Sequence, residues 1–189
     1  MSGKMSREDT IKMWDQVGRD KTKKHDQGMK LALQQSRAMI DSGEVALDIE
    51  QARIGYLARL VANHFWDHNV AHRTDKTPGY PGHYGCRVRR QGRKLEISWY
   101  YNTFHRKPGG KGKRVFSEYI RKHLRHRYRK TEFNRAQPWE KPVILETEAR
   151  FELARKINAN NSTIRRLFAQ NRKLLAELET HLNTMTKPE

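Results

Sequence analysis

Leu95-Glu96-Ile97-Ser98-Trp99-Tyr100-Tyr101-Asn102-Thr103-Phe104 is the stretch in which the hydrophobic period of this chain becomes 2. Leu95, Ile97, Trp99 and Tyr101 fall on one side of an extended strand, and Glu96, Ser98, Tyr100 and Asn102 on the other. Upstream, Cys86 and Val88 alternate with Arg87 and Arg89, and Gln91-Gly92 supplies a turn, so the two segments read as a β-hairpin with one apolar face. Beyond the basic loop Lys107-Pro108-Gly109-Gly110-Lys111-Gly112, Val115-Phe116 and Tyr119-Ile120 predict a third strand. A fourth is expected with Leu124, His126 and Tyr128 on one face and Arg125, Arg127 and Arg129 on the other. A short helix over 117–125 is the competing reading.

On both sides of this region the period returns to that of a helix. Ser6 with Asp9 resembles a capping box ahead of Ile11, Met13, Trp14 and Val17. Helix resumes at Met29, with a stop expected at Asp41-Ser42-Gly43. Asp48 with Gln51 is a second capping-box candidate, opening a helix that carries Ile49, Ile54, Leu57, Leu60, Val61 and Phe65 on one face. Downstream, Gln137-Pro138-Trp139-Glu140-Lys141-Pro142 opens a helix that runs unbroken to about Leu182, with Glu146 and Glu148 expected near the positive end of its dipole. The expected fold is α+β, with N-terminal helices, a small antiparallel basic β-sheet and a long C-terminal helix. Its divisions are a helical region over 1–76, a Pro/Gly linker over 77–83, a basic β-rich core over 84–135 and a helix over 138–185.

Charge locates the function. The chain carries 39 Lys and Arg against 21 Asp and Glu, and residues 83–135 hold 17 of the bases and only 3 of the acids. So polarised an excess predicts a face for a polyanion, with double-stranded DNA as the expected partner. The candidate phosphate contacts are Arg87, Arg89, Arg90, Arg93, Lys94, Arg106, Lys107, Lys111, Lys113, Arg114, Arg125, Arg127, Arg129 and Lys130. Arginine forks bond phosphate oxygens bidentately, and a glycine-rich loop lets backbone N–H groups approach them. Tyr100 faces away from the apolar side and is a candidate to stack on an unpaired base. In the last helix Ile157, Ile164, Asn171 and Leu178 recur seven apart, with Phe168 and Leu175 in a second row. This is a seam for a homodimer or for packing within the chain.

Other classes find little support. One cysteine, Cys86, cannot build a disulfide framework or a Cys-rich zinc finger. The opening residues carry no apolar run, and no stretch nears the ~18 apolar residues of a membrane span, so a cytoplasmic protein, nucleoid or plasmid associated, is expected. His64, His68 and His72 are four apart, but zinc wants a fourth ligand and a second shell, so a surface row is the reading and no metal or cofactor is expected. Gly110-Lys111-Gly112 lacks the Ser or Thr of a P-loop, and no paired carboxylates occur in the basic segment. A non-catalytic binding protein follows.

The hairpin sequence quoted above, the basic strands after it and Pro138-Trp139-Glu140 leading into a helix together resemble the MobI conjugative-transfer proteins of mobile integrative elements and large conjugative plasmids. The resemblance spans about Gly85 to Ile157 and leaves the N-terminal helices outside. It implies an accessory factor that recognises the origin of transfer and assists a separate relaxase, and it brings no catalytic residues. An RNA-binding or ribosome-associated protein is the alternative, and a DNA nuclease or nicking enzyme the second alternative.

Overall fold

The computed structural model describes residues 6–19, 26–106, 109 and 112–185. Helix α1 spans Arg7–Arg19 and α2 Asp26–Thr74; strands β1 (Tyr84–Gln91), β2 (Lys94–Arg106) and β3 (Lys113–Tyr119) follow, then a 3₁₀ turn at Lys130–Phe133 and helix α3 over Glu140–Met185. The fold is α+β. The chain forms two compact units, one of residues 45–166 and one of residues 1–44 with 167–189.

In the larger unit the strands form an antiparallel sheet in the order β1-β2-β3. Val88 faces Ile97, Cys86 faces Trp99, and Gln91 faces Lys94 across a two-residue turn whose Gly92 has φ 53°. That left-handed conformation suits the twist of a tight hairpin and favours glycine. The inner face buries Cys86, Leu95, Ile97 and Trp99 against Phe65, Phe133, Ile144 and Phe151. Trp99 meets Phe65, Phe133 and Phe151 edge-on at 5.2, 5.3 and 5.8 Å, the arrangement that ring quadrupoles favour. At the start of α3, Glu140 is buried and its carboxylate accepts the backbone N–H groups of Tyr84 (2.8 Å), His83 and Gln137 (3.3 Å each), the last satisfying a donor just ahead of the helix. Burial pushes this carboxyl above the usual range, while the three N–H groups pull against the shift.

The fourth strand, and the short helix that competed with it, are both absent. Pairing with β3 ends at Tyr100↔Tyr119; Ile120 N–H still reaches the Trp99 carbonyl at 3.0 Å, and the chain then leaves the sheet. A buried ion pair from α3 takes over the ladder's work. Arg155 donates through Nε to the Ile97 carbonyl (3.0 Å) and through Nη1 to the His126 carbonyl (3.0 Å), and its fork grips Glu148 at 2.9 and 3.1 Å. Glu148 in turn accepts the Trp99 indole N–H (2.7 Å) and the Tyr128 backbone N–H (2.9 Å). Glu148 is therefore a core residue and not the dipole partner expected; among the acids of α3, Glu140 occupies the first turn.

In the smaller unit Ser6 caps α1 as expected, its Oγ accepting the Asp9 N–H at 3.1 Å. The stop at Asp41-Ser42-Gly43 does not occur. Helix α2 continues because these residues face α3: Arg172 forks onto Asp41 (2.6 Å) and Glu44 (3.3 Å), Arg37 pairs with Glu179, and Phe168 sits on Gly43. A Cβ on Gly43 would stand 2.6 Å from that ring. In the larger unit, Asp48 and Gln51 likewise lie within α2 and cap nothing; Asp48 accepts Arg165 at 2.6 Å and Gln51 donates to the Arg93 carbonyl at 2.8 Å.

Gly43→Ala is expected to lower stability although alanine is the better helix former. Overpacking against a rigid ring costs about 1–3 kcal/mol, which outweighs the roughly 1 kcal/mol of propensity gained. Gly18→Ala in α1, with no atom within 4 Å of the new methyl, is expected to raise it. Urea midpoints of the two variants should move in opposite directions.

Candidate nucleic-acid interface

Because β3 stops at Tyr119, the Leu95–Ser98 stretch of β2 has no strand partner on that side among the described residues. A groove of about 790 Å³ runs along this edge. One wall is the irregular segment after β3, with Lys122, Arg125 and His126; the other is α3, with Ser162, Thr163 and Arg166; Arg89 reaches it from β1. Arg155 lies at its floor, already committed to Glu148. The acid lining it is Glu96, whose carboxyl is held low by a hydrogen bond and charge from Lys94 at 2.5 Å. The groove therefore has strongly positive walls and hydroxyl donors, which matches a run of phosphates.

The field inside it shows in the titrating groups. Burial, and then the Arg155 charge, push the Lys122 ammonium below its ordinary range. Desolvation and the charges of Arg125, Lys122, Lys156 and Arg155 lower the His126 imidazole. These effects favour the neutral imidazole, whereas a bound polyanion would favour its charged form. Affinity for a phosphate polymer is expected to rise several-fold as pH falls from 7 to 5. The increment owed to His126 should vanish in His126→Ala, as checked by binding titrations at fixed salt.

The predicted contacts divide. Arg89 and Arg125 meet in the groove. Arg87 lies on the outer sheet face, its Nη1 donating to the Tyr119 hydroxyl at 2.6 Å, beside Tyr100. Arg90 is exposed at the hairpin end; Arg93 pairs with Asp48 at 3.4 Å and Lys94 with Glu96. Arg106 is exposed at the end of β2, and Arg114 stacks over Phe116 at 4.7 Å. Arg127 does not join Arg125 on a strand face but points to Glu152 at 3.7 Å, and Arg129 and Lys130 are exposed at the 3₁₀ turn. Lys107 and Lys111 lie outside the described residues, as does the Lys113 side chain.

The sequence reading missed Lys122, Arg155 and Arg166. The last two had a signal: Arg155, Asn158, Ser162 and Arg166 recur at helical spacing, a polar stripe on one face of α3. Of the seam residues, Ile157, Ile164, Asn171 and Leu178 are exposed, whereas Phe168 seats on Gly43 and Leu175 lines an apolar cavity with Trp14, Val17 and Met29. In the histidine row, His64 and His68 meet edge-on at 4.9 Å, while His72 stacks on Trp139 at 4.2 Å and bonds Thr77 at 3.0 Å. Cys86 is core, and burial pushes its thiol up to about 12.

The family model described as MobI protein matches residues 54–180, two thirds of the chain. The chain belongs to the MobI family. Membership points to a role in mobilisation and conjugative transfer. The match is wider than the sequence reading had it: it takes in α2 from Ile54, the whole sheet, the groove and most of α3. No curated protein and no solved structure matches the chain. Among the described residues no helix is long and apolar enough to cross a membrane, and no group of three His, Cys, Asp or Glu could hold a metal.

Proposed function

We propose that this MobI-family chain is a non-catalytic DNA-binding factor of conjugative transfer, acting in the cytoplasm, that grips duplex DNA at the origin of transfer for a separate relaxase. The groove on the open edge of β2 supports this, since Arg89, Lys122, Arg125 and Arg166 converge there from three separate parts of the chain. Cations gathered along one groove repel one another, and an arrangement of that kind is stabilised when a polyanion fills it. The family match, which suggests a role in mobilisation and conjugative transfer, supports reading that polyanion as DNA.

The test is a salt titration of binding to a duplex carrying the origin of transfer and to an unrelated duplex of equal length. The proposal expects log affinity to fall steeply with log salt on both, and the origin duplex to bind tighter. Equal affinity for the two would remove origin recognition from the proposal. Absence of duplex binding at low salt would remove DNA altogether.

A further inference from the structure

The outer face of the sheet carries a second feature that phosphate binding leaves unexplained. Tyr100 and Tyr119 are cross-strand partners on this face, and Gly85 is the partner of Tyr100 on the other side. The Tyr100 ring lies directly over Gly85, where a Cβ would be 2.3 Å from its Cζ. The two tyrosine rings are 6.2 Å apart at 75°, and the Arg87 guanidinium completes a triangle with them, 5.5 Å from one centroid and 5.8 Å from the other. Its bond to the Tyr119 hydroxyl fixes it there. Tyr119 is nevertheless 52% exposed, and Val115, four residues away along the same face of β3, is about as exposed. The core packs on the opposite face, through Leu95, Ile97 and Trp99.

We infer that this face stacks an unpaired base of single-stranded DNA, with Tyr119 as the platform and Arg87 and Tyr100 bracing it. Every base has a π-face, and an aromatic ring beside a pinned guanidinium offers both stacking and cation–π attraction. A protein segment would gain nothing from the surrounding positive charge unless acidic, whereas a nucleic-acid strand satisfies ring and charge together. Tyr119 also lines the basic groove. A duplex whose phosphates lie in the groove would thus deliver a strand that frays at its end onto the platform. This deepens the proposed function and rests on it: the ligand becomes a junction of duplex and single strand, the form DNA takes where an origin opens.

The test compares a blunt duplex with the same duplex bearing a short single-stranded thymidine tail. Wild-type protein is expected to bind the tailed probe roughly ten-fold tighter, the scale of one stacked base. Tyr119→Ala should bring the ratio of tailed to blunt affinity to about one, and Tyr119→Phe, which keeps the ring, should hold most of it. A tail carrying 5-iododeoxyuridine should crosslink under ultraviolet light to the peptide containing Tyr119 or Tyr100, a readout independent of any variant's folding. A wild-type ratio of one, or crosslinks confined to other peptides, would overturn the inference while leaving duplex binding intact. Binding of the tail alone with no duplex affinity would instead overturn the groove reading and support the platform.

Discussion

Arg155→Ala is expected to cost about 3–5 kcal/mol of stability, because it leaves Glu148 buried without its cation. Both side chains are nearly sealed from solvent, at 7% and 5% exposure, so water cannot take over the lost contacts. The loss reaches beyond the pair. Arg155 also satisfies the carbonyl of Ile97 at the sheet edge and that of His126 in the segment that forms one groove wall. Arg155→Lys keeps the charge but offers a single point of attachment in place of a planar fork, and should recover only part of the difference. Urea unfolding followed by circular dichroism measures this. A loss under about 1 kcal/mol in Arg155→Ala would mean the pair is solvated and the segment after β3 is held by something else. Since that segment carries Lys122 and Arg125, the variant should also bind DNA more weakly at temperatures where it remains folded.

Replacing Arg89, Arg125 and Arg166 together by alanine is expected to weaken duplex binding by about 10²–10³-fold near 0.1 M salt and to flatten the salt slope by about 3, close to one per phosphate contact. The three come from β1, the segment after β3 and α3, so a common effect would reflect their convergence and not their sequence neighbourhood. A comparison variant removes three exposed cations from in or just beyond α2, by changing Arg59, Arg73 and Lys76 to alanine. It alters net charge equally. If both triple variants lose affinity alike, binding follows overall charge and the groove has no special place in it. Arg127→Ala, whose side chain faces Glu152, should have a much smaller effect than Arg125→Ala.

Much of this protein is local, and what is local was legible. The hairpin follows from alternation at Leu95, Ile97 and Trp99 and from a glycine at the turn; α1 follows from its Ser6 cap; the long helix α3 follows from an uninterrupted apolar period. The fall of positive charge on one third of the chain, and the family resemblance, were visible there too. Tertiary contacts decided the rest. Gly43 reads as a helix stop until the Phe168 ring that needs its missing side chain is brought beside it from 125 residues away in the chain. Arg125, Arg127 and Arg129 read as one face of a strand until Arg155 and Glu148 take the hydrogen bonds a fourth strand would have made. Arg125 then turns into the groove and Arg127 toward Glu152. Alternation determines which residues could share a face. Whether a backbone edge is met by another strand or by a buried guanidinium depends on side chains distant in sequence, and only the folded chain brings them together.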